Sequence, residues 1–157
     1  LIVRWAGKIE DGTKTDTPVT NLDFYPTILE VSGIKKPADK KLDGNSLLPI
    51  LTQTGSLPKR PLFWHFPIYL QGGNQETRDL KFRTRPGSVI RYGDWKLHEY
   101  FESGDLELYN LKNDIGETKN LVDEFPEKAE ELYKMLKNWR KKLNAPVPTK
   151  LNPDYQG

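Results

Sequence analysis

The sequence predicts an α+β fold in which a small antiparallel sheet of about four strands is covered by a long C-terminal helix. Strand-like segments occur at residues 62–66, 89–92, 95–101 and 106–111, and Gly-Asp and Ser-Gly turns separate the last three. Apolar residues then recur at helical spacing from residue 126 to about residue 143. Another apolar run and two short helical segments precede the sheet, so the chain combines strands and helices.

The first 55 residues are predicted to form a unit of one strand and two helices. Residues 1–5 are mostly apolar and predict a short buried strand. Asp23 can cap a helix that continues to about Ser32, because Gly33 supplies a typical helix stop. A second short helix is predicted around residues 46–52. Residues 56–157 are predicted to form a second domain that contains the sheet and the long helix.

The predicted strands after residue 88 form a meander whose side chains lie on two faces. Alternation along the middle strand sends successive side chains to opposite sides. One set is Trp95, Leu97 and Phe101, and the other is Lys96, His98 and Tyr100. The apolar face of the C-terminal helix is expected to cover the first set. The second face therefore remains for solvent, a partner domain or a ligand.

Composition excludes several classes of function. The net charge is only +2, whereas nucleic-acid binding needs clustered basic residues, so no nucleic-acid partner is predicted. No apolar run is long enough for a membrane span. The chain has no cysteine, two histidines and no aspartate-rich loop, so neither a catalytic thiol nor a metal site is expected. No common catalytic motif is complete, and no catalytic residue is assigned.

Histidines and arginines remain as candidates for contact with a ligand. His65 lies within an aromatic run at residues 62–69, and His98 lies on the predicted open face. Arg83 and Arg85 belong to a long polar segment at residues 71–86. The planar guanidinium group suits sulfate and carboxylate, because it donates two hydrogen bonds at once. Both residue types more often have a structural or solvent-exposed role, and that interpretation stays open beside the functional one.

Six motifs in order carry a resemblance to a known family. The later ones are R-x-G-D-W-K-L at 91–97, E-L-Y-N-L at 107–111 and N-D-x-G-E-x-x-N-L at 113–121, followed by the amphipathic helix. The earlier ones are I-V-R-W-A-G-x-I at 2–9, D-x-x-P-T-x-L at 23–29 and L-D-G-x-S-L at 42–47. This order closely resembles the C-terminal region of the sulfatase family, which is arylsulfatase-like and belongs to the alkaline-phosphatase superfamily.

The sequence departs from the family pattern at three positions. Ala6 and Ile115 stand where the family usually has proline, and Ile115 affects only the rigidity of a turn. Ile68 stands where bacterial relatives often have a second histidine. That last departure weakens a direct transfer of the family's substrate contacts to this chain.

The resemblance implies a parent protein that is a calcium-dependent sulfuric ester hydrolase acting on aryl sulfates or sulfated sugars. In the family, a formylglycine residue attacks the sulfur, while calcium and basic residues hold the sulfate oxygens. Both groups are expected upstream, so this chain alone is expected to bind neither and to be inactive. In the family, formylglycine forms from the Cys or Ser of a C/S-x-P-S/A-R motif. Residues 56–60 superficially fit this motif, but Lys59 stands where the motif has Ser or Ala, so Ser56 is rejected as the nucleophile.

The resemblance also implies a place for this chain within the parent protein. Residues 1–55 are the expected tail of a large N-terminal α/β domain, and residues 56–157 are a C-terminal subdomain that rims the substrate pocket. The expected partners are the missing N-terminal catalytic domain and a sulfated small molecule or glycan. The parent is expected to be periplasmic or secreted. The candidates for substrate contact are His98, His65, Lys96, Tyr69, Arg83 and Arg85.

Two alternative functions remain open on the sequence. One is a phosphoesterase or phosphonate hydrolase of the same superfamily, and the upstream nucleophile would distinguish it from a sulfatase. The other is a non-catalytic module that binds a sulfated glycan directly. If the chain lacks its natural partner, the apolar surfaces at residues 1–5 and 25–29 are expected to be exposed, and the isolated chain is expected to self-associate.

Overall fold

Residues 1–72, 82–148 and 150 are described by the computed structural model, and the chain divides into two units, Leu1–Lys59 and Arg60–Gly157. The first unit contains a 3-10 helix (Asn21–Asp23), α1 (Phe24–Val31) and α2 (Leu48–Leu51). The second unit contains β1 (Leu62–Phe66), β2 (Leu70–Gln71), β3 (Phe82–Thr84), β4 (Gly87–Tyr92), β5 (Trp95–Tyr100), β6 (Leu106–Asn110) and α3 (Pro126–Leu143).

The first unit is organised around the buried carboxylate of Asp23. Its Oδ2 accepts a hydrogen bond from the backbone N–H of Thr20 at 2.8 Å, and its Oδ1 accepts one from the N–H of Asn45 at 2.9 Å. Gly44 allows this close approach, because a Cβ there would lie 2.0 Å from the carbonyl oxygen of Leu22. Asp23 thus links the start of α1 to the segment before α2 rather than acting as a simple helix cap.

The predicted strand at residues 1–5 is wrong. No strand forms there, and Leu1 and Ile2 are 74% and 97% exposed. A strand is held by hydrogen bonds to a neighbouring strand, and the described part of the chain offers this segment no such neighbour. The helix predicted from Asp23 is confirmed as α1, and Gly33 follows it with a φ of 66°, as a helix stop requires.

The second unit is built on a four-stranded antiparallel sheet with the strand order β1-β4-β5-β6. Its meander β4-β5-β6 confirms the three strands predicted between residues 89 and 111. The short strands β2 and β3 pair separately, and except for Leu70 they lie in the segment at residues 71–86, which the sequence predicts to be irregular. Strands of two and three residues are too short to show an alternating pattern in the sequence. Residues 73–81 of that segment lie outside the described residues.

Helix α3 covers one face of this sheet, as predicted. Pro126 occupies its first turn and Asn144 follows it in the left-handed conformation, with a φ of 51°. Three buried aliphatic residues of the sheet pack against three buried apolar residues of the helix. They are Ile90, Leu97, Leu108, Ala129, Leu132 and Leu136, none more than 3% exposed. This core fixes which strand side chains are covered and which remain open.

Candidate functional site

The strand register defines two faces of the four-stranded sheet. Residues directly opposite each other across antiparallel strands share a face. The covered face, under α3, carries the rows Phe63-Ile90-Leu97-Leu108 and His65-Ser88-Glu99-Leu106. The open face carries the rows Leu62-Arg91-Lys96-Tyr109 and Trp64-Val89-His98-Glu107. The two candidate histidines therefore lie on opposite faces.

A buried polar network fastens α3 to the covered face. Arg140 of α3 donates to Oε2 of Glu99, and both side chains are about 10% exposed. The hydroxyl of Tyr133 donates to Oε1 of Glu99 at 3.0 Å. Burial raises the pKa of Tyr133, and its bond to Glu99 raises it further. Because every member contacts another member of the same network, this cluster is suited to holding the helix rather than to binding a ligand.

Both ring nitrogens of His65 are used inside the chain. Nε2 lies 2.7 Å from the carbonyl oxygen of Pro146, and Nδ1 lies 2.7 Å from Oγ of Ser88. A carbonyl oxygen only accepts, so Nε2 carries the proton, and Nδ1 accepts the hydrogen bond from the hydroxyl of Ser88. The ring also lies edge-on to Trp139 of α3. These contacts favour a structural role for His65.

On the open face, one carboxylate joins two of the candidate residues. Nζ of Lys96 lies 2.6 Å from Oε1 of Glu117, and Nε2 of His98 lies 2.9 Å from Oε2 of the same carboxylate. Glu117 adopts a left-handed backbone conformation, with a φ of 54°. The turn that contains it is held by Asp114, whose carboxylate accepts hydrogen bonds from the backbone N–H groups of Thr118 and Lys119. The turn thus aims Glu117 at the strand β5.

The pKa values of Glu117 and His98 are both lowered in this cluster. Partial burial raises the pKa of Glu117, but the hydrogen bond and the positive charge of Lys96 outweigh it, and the net pKa is lowered. Burial lowers the pKa of His98, and the nearby Lys96 lowers it further, while Glu117 opposes both. Glu117 is therefore ionised and His98 neutral at neutral pH.

Aromatic rings frame His98 on the open face. The ring of Tyr100 lies nearly parallel to it at a centroid distance of 6.2 Å, and the ring of Tyr109 lies edge-on at 5.9 Å. Both tyrosine hydroxyls donate to Oε2 of Glu107, at 3.2 and 3.0 Å. Because of these contacts the His98 ring has little freedom to turn.

A shallow depression lies beside this cluster on the open face. Its lining residues are Trp64, Val89, Arg91, Lys96 and Leu111. The side chain of Trp64 is 44% exposed, which is high for an aromatic residue of a sheet. The depression therefore combines an accessible aromatic ring with two cationic side chains.

The remaining candidates lie elsewhere. Glu102 accepts hydrogen bonds from the hydroxyl of Tyr69 at 2.9 Å and from the guanidinium of Arg85 at 3.1 Å. Arg83 is exposed on β3. The structure thus brings Lys96 and His98 together, joins Tyr69 to Arg85, and leaves His65 on the covered face.

Two glutamates were missed by the sequence analysis. Glu99 follows Leu97 by two residues, so strand alternation alone would have put it on the covered face. Glu117 lies in the motif at 113–121, but no spacing rule indicates that a turn residue reaches back to β5. Its identity as the bridge between Lys96 and His98 comes only from the three-dimensional structure.

Neither a metal centre nor a membrane helix is found in the described ranges. Among residues 1–72, 82–148 and 150, no three His, Asp or Glu side chains are grouped so that they could hold a metal ion. Within those ranges, no helix has the length and apolar character needed to cross a membrane.

Comparison with known proteins gives a consistent set of relatives. A family model described as N-sulphoglucosamine sulphohydrolase, C-terminal, matches residues 1–145. A sulfatase of Formosa agariphila is 36% identical over 94% of this chain and 28% of its own length. An N-acetylglucosamine-6-O-sulfatase of Bacteroides thetaiotaomicron is 29% identical over 94% of this chain and 26% of its own length. The chain therefore spans about a quarter of the length of these curated relatives.

Solved structures give the same picture. BT4656, in complex with its substrate D-glucosamine-2-N,6-O-disulfate, has a TM-score of 0.59 and 26% identity, covering 82% of this chain and 25% of that chain. BT1596, a 2-O GAG sulfatase, has a TM-score of 0.55 and 28% identity, covering 78% and 25%. A phosphonate monoester hydrolase of Agrobacterium radiobacter has a TM-score of 0.51, covers 76% and 24%, and is 23% identical, which shows the fold alone.

Proposed function

Because the chain belongs to the N-sulphoglucosamine sulphohydrolase C-terminal family, and so to the C-terminal regions of sulfatases, we propose that it is the C-terminal part of a sulfuric ester hydrolase. Its relatives are about four times longer. The catalytic domain then lies outside this chain, and residues 1–55 are the end of that domain. The role of this chain is to complete the fold and to form part of the wall of the substrate pocket.

Calcium and formylglycine are assigned to that outside domain. The sequence contains no cysteine, Ser56 lies in an exposed loop, and the described acidic side chains form no metal-binding group. The residues present therefore do not fit either group. A periplasmic or extracellular location of the parent protein belongs to the same proposal and rests on the family alone.

Lys96 and His98 contact the same carboxylate, that of Glu117, and this arrangement supports a role in substrate recognition. One carboxylate fixes two polar side chains on the open face, and such preorganisation is what a binding site needs. The ammonium group of Lys96 has three N–H donors and gives one to Glu117. Its other two donors have no hydrogen-bond acceptor within the described ranges, and we assign them to sulfate oxygens or hydroxyl groups. Tyr69, Arg83 and Arg85 stay proposed contacts, whereas His65 is the weakest of the six candidates.

A sulfated sugar is the substrate class that we favour. The relatives include an N-acetylglucosamine-6-O-sulfatase and a delta 4,5-hexuronate-2-O-sulfatase, both of Bacteroides thetaiotaomicron. The open face also matches this chemistry, because the exposed ring of Trp64 offers an apolar surface beside the donors Arg91 and Lys96. Sugars present both apolar C–H faces and polar hydroxyl or sulfate groups.

The test is sulfate release by the longer protein that contains this chain, with formylglycine installed. The panel contains N-acetylglucosamine 6-O-sulfate, a 2-O-sulfated unsaturated hexuronate, an aryl sulfate and an aryl phosphonate monoester. We expect hydrolysis of at least one sulfated sugar with a higher kcat/KM than the aryl sulfate. Hydrolysis of the phosphonate ester alone would replace the sulfatase proposal with the phosphonate hydrolase alternative.

The same panel tests the non-catalytic alternative. Isothermal titration of the 157-residue chain with the sulfated sugars measures direct binding. We expect flat heats, because the proposed pocket is completed by the catalytic domain. Tight binding by this chain, with no hydrolysis by the longer protein, would establish a glycan-binding module instead.

A further inference from the structure

We propose that His98 recognises a hydroxyl group of the sugar, accepting its hydrogen bond at Nδ1, and that Glu117 is the positioning residue that fixes this role. The proposal deepens the proposed function and rests on it for the identity of the ligand. It assigns His98 to the uncharged part of the substrate, while any sulfate contact belongs to cationic donors such as Lys96.

The contact with Glu117 determines which nitrogen of the His98 ring carries the proton. Nε2 lies 2.9 Å from Oε2 of Glu117, which is hydrogen-bonding distance. An ionised carboxylate can only accept, so the hydrogen must be on Nε2. The pKa of Glu117 is held down by Lys96, which keeps the carboxylate ionised at neutral pH.

The other ring nitrogen of His98, Nδ1, is then a hydrogen-bond acceptor. With the proton on Nε2, a neutral ring has a lone pair at Nδ1, which accepts hydrogen bonds and cannot donate. In the described part of the chain no group bonds to Nδ1, and it is not among the buried polar atoms that lack a partner. His98 thus differs from His65, whose two ring nitrogens both have partners.

Burial, helped by the positive charge of Lys96, keeps the His98 ring neutral against the opposing effect of nearby carboxylates. Lys96 is two residues away on the same strand, and its positive charge disfavours a second one. Arg91 lies on the same face of β4, opposite Lys96. Glu117 and Glu107 act in the other direction, and Tyr100 and Tyr109 give their hydroxyl protons to Glu107. Burial and Lys96 prevail, so the pKa of His98 is lowered.

A sulfated sugar presents sulfate oxygens and hydroxyl groups, and Nδ1 of His98 matches only the hydroxyl groups. Sulfate oxygens only accept hydrogen bonds, so a neutral Nδ1 gains nothing from them and is repelled by their charge. A sugar hydroxyl donates one proton and fits this acceptor. The ammonium and guanidinium groups of the open face therefore suit sulfate, and the imidazole of His98 suits a hydroxyl group.

The tautomer of His98 is measured first, on the unmutated chain at pH 7. The full 157-residue chain has two histidines, so long-range proton–nitrogen NMR spectra of the labelled chain resolve both rings, and His65→Gln assigns them. At pH 7 we expect His98 to carry its proton on Nε2 alone. In Glu117→Gln, whose amide can both donate and accept, we expect a mixture of tautomers. A ring protonated at Nδ1 in the unmutated chain would overturn the proposal.

The hydroxyl contact is tested by kinetics of the longer protein. His98→Gln keeps a donor near Nε2 and removes the acceptor, whereas His98→Asn keeps a polar atom near Nδ1. We expect the ratio of kcat/KM for the sulfated sugar to that for the aryl sulfate to fall about fivefold in His98→Gln, the value of one lost hydrogen bond. A smaller fall is expected in His98→Asn, and Lys134→Gln on the exposed side of α3 is the control.

The outcomes separate the two proposals. If the longer protein hydrolyses sulfated sugars and His98→Gln leaves the ratio unchanged, the role of His98 is wrong while the sulfatase function stands. If the longer protein hydrolyses no sulfate ester, the proposed function fails, and with it the identity of the ligand. The NMR result still decides the tautomer in either case.

Discussion

The two faces of the four-stranded sheet use charge in opposite ways. On the covered face, Glu99 and Arg140 are nearly buried and satisfy each other, with Tyr133 completing the network. On the open face, Glu117 contacts Lys96 and His98, whose side chains are 19–23% exposed. Among the described residues, the charged groups of the covered face satisfy one another, whereas on the open face no described group bonds to Nδ1 of His98. One face stabilises the fold, and the other is the face that we propose for ligand contact.

The two histidines illustrate this difference at the level of single atoms. His65 contacts Ser88 and Pro146 through both ring nitrogens, so its hydrogen-bonding capacity is used within the chain. His98 bonds to Glu117 through Nε2, and no group in the described ranges bonds to its Nδ1. Residue type alone does not separate the two cases, and neither does the polar or aromatic character of the flanking sequence.

The largest expected effect is on the covered face. Leu132 is fully buried in the core, and replacing it with alanine leaves a cavity. We expect Leu132→Ala to lower the free energy of unfolding by about 3 kcal/mol. The matched control is Leu143→Ala in the same helix, where the side chain is 57% exposed and a change within about 0.5 kcal/mol is expected. Urea denaturation measures both, and equal effects would contradict the assigned core.

The next effect concerns the buried ion pair. Glu99→Gln keeps the volume of the side chain but leaves the charge of Arg140 buried without its partner. We expect the free energy of unfolding to fall by about 3 kcal/mol. The control is Glu131→Gln, which breaks the exposed pair with Lys128 and is expected to cost less than about 0.5 kcal/mol. A small effect of Glu99→Gln would mean that water reaches Arg140.

A smaller effect is expected at His65. Replacement by leucine keeps most of the apolar contact with Trp139 and removes the hydrogen bonds to Ser88 and Pro146. We expect a loss of about 2 kcal/mol of stability, because the hydroxyl of Ser88, which is 1% exposed, loses its acceptor and stays buried. Thermal unfolding measures this loss. If His65→Leu also reduced sugar hydrolysis in the longer protein at a temperature where it stays folded, His65 would contact substrate and the contrast with His98 would disappear.

The smallest effect is a pH dependence of stability caused by Glu117. Its folded pKa is lowered, so its contribution is present above the ordinary glutamate pKa of about 4.3 and is lost as the pH falls through the lowered value. We expect the stability difference between the unmutated chain and Glu117→Gln to be largest near pH 6 and to shrink below pH 4. Denaturation curves at several pH values measure it. A difference that grows as the pH falls would reverse the sign and contradict the pairing with Lys96.

Much of the fold could be predicted from local patterns. The alternation along β4, β5 and β6 and the helical spacing in α3 are set by short-range geometry, so the strands, the helix and the covered face follow from the sequence. The strand at residues 1–5 failed because a strand depends on a distant partner, which local pattern does not reveal. Leu1, Ile2 and the α1 residues Tyr25 and Ile28 are exposed, as expected if a partner is missing, and self-association of the isolated chain stays a prediction.

The candidate site was predictable only in part. Strand alternation put Lys96 and His98 on the open face, and the register confirms that placement. The third member, Glu117, is 19 residues after His98 and reaches it through a turn with a left-handed residue, so no sequence spacing relates the two. Long-range contacts of this kind, like the contact of His65 with Pro146, determine which ring nitrogens have a partner among the described residues.

The central claim, that the open face contacts the substrate, is tested most directly by Lys96→Gln in the longer protein. The measurement is KM and kcat for the sulfated sugar beside the thermal midpoint, with Leu132→Ala as the covered-face counterpart. Lys96→Gln is expected to raise KM about tenfold, since a charge-assisted hydrogen bond is lost, with only a small shift of the midpoint. Leu132→Ala is expected to lower the midpoint and leave KM near its original value. An unchanged KM and kcat in Lys96→Gln would contradict the claim.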